Sequence, residues 1–76
     1  MNPADVERLI EADIPDAEAT VSRARGSHDD DHLEAEVVAP AFADLSLLDQ
    51  HERVYDALDE HMTTDIHALE LTTRAP

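Results

Sequence analysis

The sequence predicts an α+β domain in which two main helices cover one face of a three-stranded sheet. Three observations predict it. Leu47, Leu48, His51, Val54, Tyr55, Leu58 and Met62 recur at spacings of three and four, which draws one apolar stripe along a helix of about four turns. Leu33, Ala35 and Val37 alternate with Glu34 and Glu36, the period of a half-buried strand. A second alternation, from Ile66 to Thr73, follows the central helix and supplies a strand on its far side.

Taken in order, Asn2 followed by Pro3 reads as an N-cap with proline at the first helical position, and Asp5 sits in the first turn where the helix dipole favours an acid. Val6, Leu9 and Ile10 form the buried stripe of this first helix, and Ile14-Pro15-Asp16 ends it. Glu18 to Arg25 reads as a half-polar strand, with Ala19, Val21 and Arg23 on one side and Thr20, Ser22 and Ala24 on the other. Gly26 to Asp31 holds the sole glycine and reads as a solvent-facing turn, so the strands around it make a hairpin. Pro40 stops the second strand, Phe42 plugs the core, and Ser46 caps a central helix that runs on to Thr63-Thr64-Asp65. In the last strand His67, Leu69 and Leu71 share one side, and Ile66, Ala68, Glu70 and Thr72 the other. The order is helix, strand, strand, helix, strand.

Composition bounds the function. Seventy-six residues make one domain, spanning 1–76, and a chain of this size buries only ~60% of the surface its unfolded form exposes. The absence of cysteine excludes a disulfide framework, thiol catalysis and any zinc or iron–sulfur site built on the chain's own thiolates. Nineteen Asp and Glu against five Arg give a net charge of −14. Such a surface suits a salt-loaded cytoplasm, where a screening length of ~3 Å at molar salt nearly abolishes self-repulsion. The acidity is read as halophilic adaptation, and the 42% hydrophobic content with its clear periodicity argues against disorder. With neither an apolar leader after a basic start nor a membrane-spanning run, a cytoplasmic protein is expected, monomeric when alone. Enzyme readings fail on residues: there is no glycine-rich phosphate loop, no serine elbow and no isolated acid–base pair.

His32-Leu33 through Val37-Val38, then Pro40-Ala41-Phe42, then His51-Glu52-Arg53-Val54-Tyr55 with Leu58, and finally Ile66-His67-Ala68-Leu69 together resemble the BolA family. The resemblance covers roughly residues 32 to 72. It implies a class II KH-like fold, α-β-β-α-β on a three-stranded mixed sheet. It also implies partnership with a monothiol glutaredoxin, a [2Fe-2S] cluster being shared between the two proteins and glutathione coming from the partner's side. For some members it implies transcriptional regulation through DNA. Where many members read Arg-His-Arg before the Val-Tyr pair, this chain reads Gln50-His51-Glu52, and Asp44 stands where glycine is common. The lost basic positions and the charge of −14 disfavour DNA, because phosphate neutralisation dominates such affinity. His51 and Arg53, on the family's helix motif, are the candidates for a partner or nucleic-acid surface.

Five histidines and no thiol could complete at most half of a cluster's shell, with histidine replacing cysteine on one iron as in Rieske centres. His67 matches the ligand histidine of the family's Ile-His-Ala-Leu motif; without the resemblance it would read as a strand histidine bonded to a carbonyl. The resemblance implies that the second ligand comes from the hairpin loop. His28 has the reach, and His32, which matches the family's histidine at the head of the next strand, is the alternative. His28-Asp29-Asp30-Asp31-His32 also offers donors to a divalent ion, although five adjacent residues rarely wrap one, and a run of Asp is ordinarily a solvated surface. His51 lies on the apolar stripe and reads as a packed boundary residue, and His61 as a residue of the last helical turn.

Overall fold

The computed structural model describes residues 2–23, 32–64 and 68–76. Helix α1 spans Pro3–Asp13, strand β1 Glu18–Arg23 and strand β2 His32–Val38; a 3-10 turn at Pro40–Phe42 leads to helix α2 at Leu47–Leu58, a short helix α3 at His61–Thr64, and strand β3 at Ala68–Arg74. The sheet order is β1-β2-β3, with β1 antiparallel and β3 parallel to β2. This is the three-stranded sheet under two main helices that the pattern predicts, mixed as the family resemblance implies.

The local signals act where expected. Asn2 Oδ1 accepts from the Asp5 amide at 3.0 Å, with Pro3 at the first helical position, and Ser46 Oγ accepts from the Asp49 amide at 3.1 Å. Each satisfies one of the amides that a helix start leaves without a partner. Val6 and Ile10 from α1 and Ile14 just past its end, Leu33, Ala35 and Val37 from β2, and Val54 and Leu58 from α2 close the core around Phe42, which is 1% exposed. The other face of the sheet carries Thr20, Ser22, Glu34, Glu36, Glu70 and Thr72, where Arg74 pairs with Glu36 at 3.0 Å.

Two expectations about the central helix are corrected. It ends at Leu58 rather than running to Met62, because Asp59 takes φ 47° and ψ −127° and breaks the ladder before α3 restarts the chain at His61. A residue with a Cβ adopts that conformation only under constraint, so nothing in the residue pattern announces the break. The apolar stripe is also not buried throughout: Val54 and Leu58 face the core, whereas Leu47, Leu48 and Tyr55 are exposed. Of the first strand, residues 24 and 25 lie outside the described residues, as do 65–67 before the last; β3 continues to Arg74, one residue beyond the expected end.

Helix α1 is fastened to both neighbours by side chains. Glu7 Oε2 accepts from the Val21 amide at 2.8 Å, and Glu11 Oε2 from the Ala19 amide at 3.0 Å. These two amides belong to the outer edge of β1, so glutamates one helical turn apart cover an edge that would otherwise template another strand. Arg53 of α2 donates to Asp13 Oδ2 at 2.6 Å and to the Asp13 carbonyl at 2.8 Å. One guanidinium thereby neutralises a carboxylate and caps the C-terminus of α1.

Candidate functional site

Parallel pairing brings the starts of β2 and β3 to the same end of the sheet. His32 is the register partner of Ala68 and Leu33 of Leu69, while Arg23, the last residue of β1, pairs with Leu33. His32 is half-buried there, at the first position of β2. Ala68, its partner, is covalently joined to His67. His67 and His28 lie outside the described residues, so of the three ligand candidates the structure describes His32. Among the described residues no group of three or more His, Cys, Asp or Glu could hold a metal ion by itself. The donor that the described part of this end offers is thus imidazole, a borderline ligand that suits iron.

The helix motif is deployed otherwise than its sequence suggests. Arg53 is committed to Asp13 rather than free to meet a phosphate. His51 is half-buried at the boundary of α2, one turn from the exposed Leu48 and Tyr55. Gln50 donates from Nε2 to the Leu45 carbonyl at 3.0 Å and to the Phe42 carbonyl at 3.4 Å, locking the turn before α2 onto the helix. Its Oε1 is buried without a partner among the described atoms. The Glu7 and Glu11 caps and the Gln50 lock were not visible as roles in the sequence. The spacing of four between the two glutamates on the strand-facing side of α1 was the available signal for the first.

A three-stranded mixed sheet under two main helices is the frame of a known class of small α+β proteins. Residues 10–76 match the family of BolA-like proteins, and the chain belongs to that family. Protein BOLA1, chloroplastic, of Arabidopsis thaliana is 32% identical over 72 residues, covering 93% of this chain and 44% of that protein. SufE-like protein 1, chloroplastic/mitochondrial, of the same plant is 34% identical over 55 residues, covering 68% of this chain and 15% of that protein. The chain therefore spans less than half the length of these curated relatives. Among solved structures, a bolA protein homologue from Coxiella burnetii superposes with a TM-score of 0.83 at 34% identity, covering 100% of this chain and 92% of that one. The BolA domain of SufE1 from Arabidopsis thaliana gives 0.80 at 25% identity, covering 97% and 91%.

Proposed function

We propose that this chain is a BolA-like adaptor that binds a monothiol glutaredoxin and co-ligates a [2Fe-2S] cluster with it, in cytoplasmic iron–sulfur trafficking or iron-status signalling. The BolA family is not a family of enzymes, in keeping with a binding role. The observation that carries the reading is the pairing of histidine chemistry with a chain that has no thiol: His32 opens β2 opposite Ala68, the residue that follows His67, and the sequence contains no cysteine. His67 is the strand ligand and His28, or alternatively His32, the loop ligand. The partner cysteine and glutathione bring the thiolates, and the cluster supplies one-electron chemistry or transferable iron.

The test is to mix the protein with a monothiol glutaredoxin, glutathione, iron and sulfide, and to record the visible spectrum and the size of the complex. A coloured heterocomplex is expected, the chain alone staying colourless. His67→Ala should change the spectrum of the mixture while leaving the melt of the isolated chain nearly unchanged. A stable cluster on the chain without any thiol partner, or no coloured complex with one, refutes the reading. So does a His67→Ala protein that melts far lower yet returns the wild-type spectrum.

A further inference from the structure

The two edges of the sheet are finished differently. Glutamates from α1 cover the β1 edge at Ala19 and Val21. Among the described residues no strand pairs with the outer edge of β3. The Arg74 carbonyl accepts from the Ala39 amide at 3.1 Å, so Arg74 turns its backbone groups toward β2. Backbone groups alternate sides along a strand, hence Leu69, Leu71 and Thr73 turn theirs to the open edge. Ala68–Arg74 has no proline, no lysine and an unbroken register with β2, and its charged side chains, Glu70 and Arg74, lie on the face of the sheet away from the helices.

A helix flank overhangs this edge. Helix α1 packs on β1 and α2 on β3, and Arg53 reaches from α2 across to Asp13 of α1. At about 100° per residue, Leu48, His51 and Tyr55 fall within about 40° of the line opposite Arg53, and so face the β3 side. Leu48 is 68% and Tyr55 37% exposed; with Leu47 they are the exposed large apolar side chains among the described residues, and all lie on α2. Below them Leu69 and Leu71 are half-buried. The result is a groove with an apolar wall and floor and, along one rim, a row of backbone groups that no strand among the described residues pairs with.

Charge selects the occupant. Glu52 and Asp56 are exposed beside Tyr55, and on the opposite face of the sheet Glu70 stands next to its register partner Glu34. A second copy of a chain with net charge −14, or a nucleic acid, would meet like charge here. We propose that an extended, cationic segment of a partner protein adds to β3 as a fourth strand, with alternate apolar side chains under the α2 flank and basic ones facing Glu70. This is strand addition beside a helix, in which the backbone supplies affinity and the alternate pockets supply specificity. It does not depend on whether the chain holds a cluster.

The probe is a fluorescein-labelled peptide of alternating valine and arginine, titrated into the intact chain at low salt, beside a version with glutamate in place of arginine. Saturable binding of the basic peptide is expected, weakened about tenfold by Leu48→Ser with Tyr55→Ser and separately by Glu70→Lys. Those side chains are exposed, so the variants should keep the wild-type melt. Bound peptide should slow amide exchange at Leu69, Leu71 and Thr73 and leave Ala19 and Val21 unchanged. Absence of binding, equal binding of the glutamate version, or binding that leaves the β3 amides unprotected overturns the proposal. Protection of those amides that grows with protein concentration, without peptide, assigns the edge to a second copy and overturns it as well.

Discussion

Replacing Glu7 with alanine tests whether α1 stabilises the fold through the sheet edge as well as through its buried stripe. The carboxylate accepts from a part-buried amide at 2.8 Å, and alanine leaves the Val21 N–H without its partner. A hydrogen bond to a charged acceptor contributes about 1.5–3 kcal/mol, and partial access of water to this edge argues for the lower end, about 1.5 kcal/mol. A chain of 76 residues is expected to hold about 4–11 kcal/mol in total, so one such loss is a sizeable fraction of it. In a domain of this size it corresponds to a fall in Tm of about 6–12 °C. The Glu11 bond, at 3.0 Å to Ala19, is expected to behave alike, and the double alanine variant to lose about 3 kcal/mol and to aggregate through the freed edge. Glu7→Gln keeps an acceptor and should recover about half. The assay is a thermal melt with amide exchange read at Val21 and Ala19. An alanine variant that melts with the wild type, a glutamine variant no better than alanine, or unchanged exchange at Val21 would refute the reasoning.

Arg53→Ala should cost about 1–2 kcal/mol by urea denaturation, because it removes a partly exposed ion pair together with the cap on the Asp13 carbonyl. Molar salt should shrink the loss toward the share of the cap, and Arg53→Lys should recover only part, since an ammonium lacks the fork that engages both oxygens. Asp59→Gly should raise stability by about 1 kcal/mol: φ 47° with ψ −127° strains a residue bearing a Cβ, and that relief exceeds the entropy glycine adds to the unfolded chain. A lower melt for that variant would show that the Asp59 side chain does something the backbone does not. Phe42→Ala should cost about 3–5 kcal/mol, enough to leave much of the chain unfolded in a urea series begun at low denaturant.

Much of the fold was legible because its signals are local. Asn2-Pro3 and Ser46 act through atoms within three residues, and the alternation of Leu33, Ala35 and Val37 needs only a sheet with one covered face. What escaped depends on contacts distant in sequence. Leu47, Leu48 and Tyr55 carry the right spacing for burial, yet the core is filled from the side of Val54 and Leu58, and a helical stripe wider than its seat spills onto the flank. Asp59 bends the chain without glycine, so the usual stop signal is absent. Arg53 carries the appearance of a free surface cation, and its partner lies 40 residues away. At the candidate site, the family resemblance points to His67, and reach within the loop favours His28 over His32; His67 and His28 lie outside the described residues, and parallel register adds the pairing of His32 with Ala68.

The two proposed surfaces occupy different parts of one sheet, which makes their failures separable. The histidine end is reached along the strand direction, at the starts of β2 and β3, whereas the groove is reached sideways, at the β3 edge beneath α2. A partner holding the end through iron needs few direct protein contacts, because each metal–ligand bond is strong and directional. A strand held at the edge needs several backbone bonds and apolar contacts in register, none of them strong alone. Leu48→Ser with Tyr55→Ser should therefore weaken peptide binding about tenfold while leaving the spectrum of the glutaredoxin mixture unchanged, and His67→Ala should change that spectrum and leave peptide binding intact. Loss of both properties in either variant would mean that one partner grips the end and the edge together, and that the two sites act as a single interface.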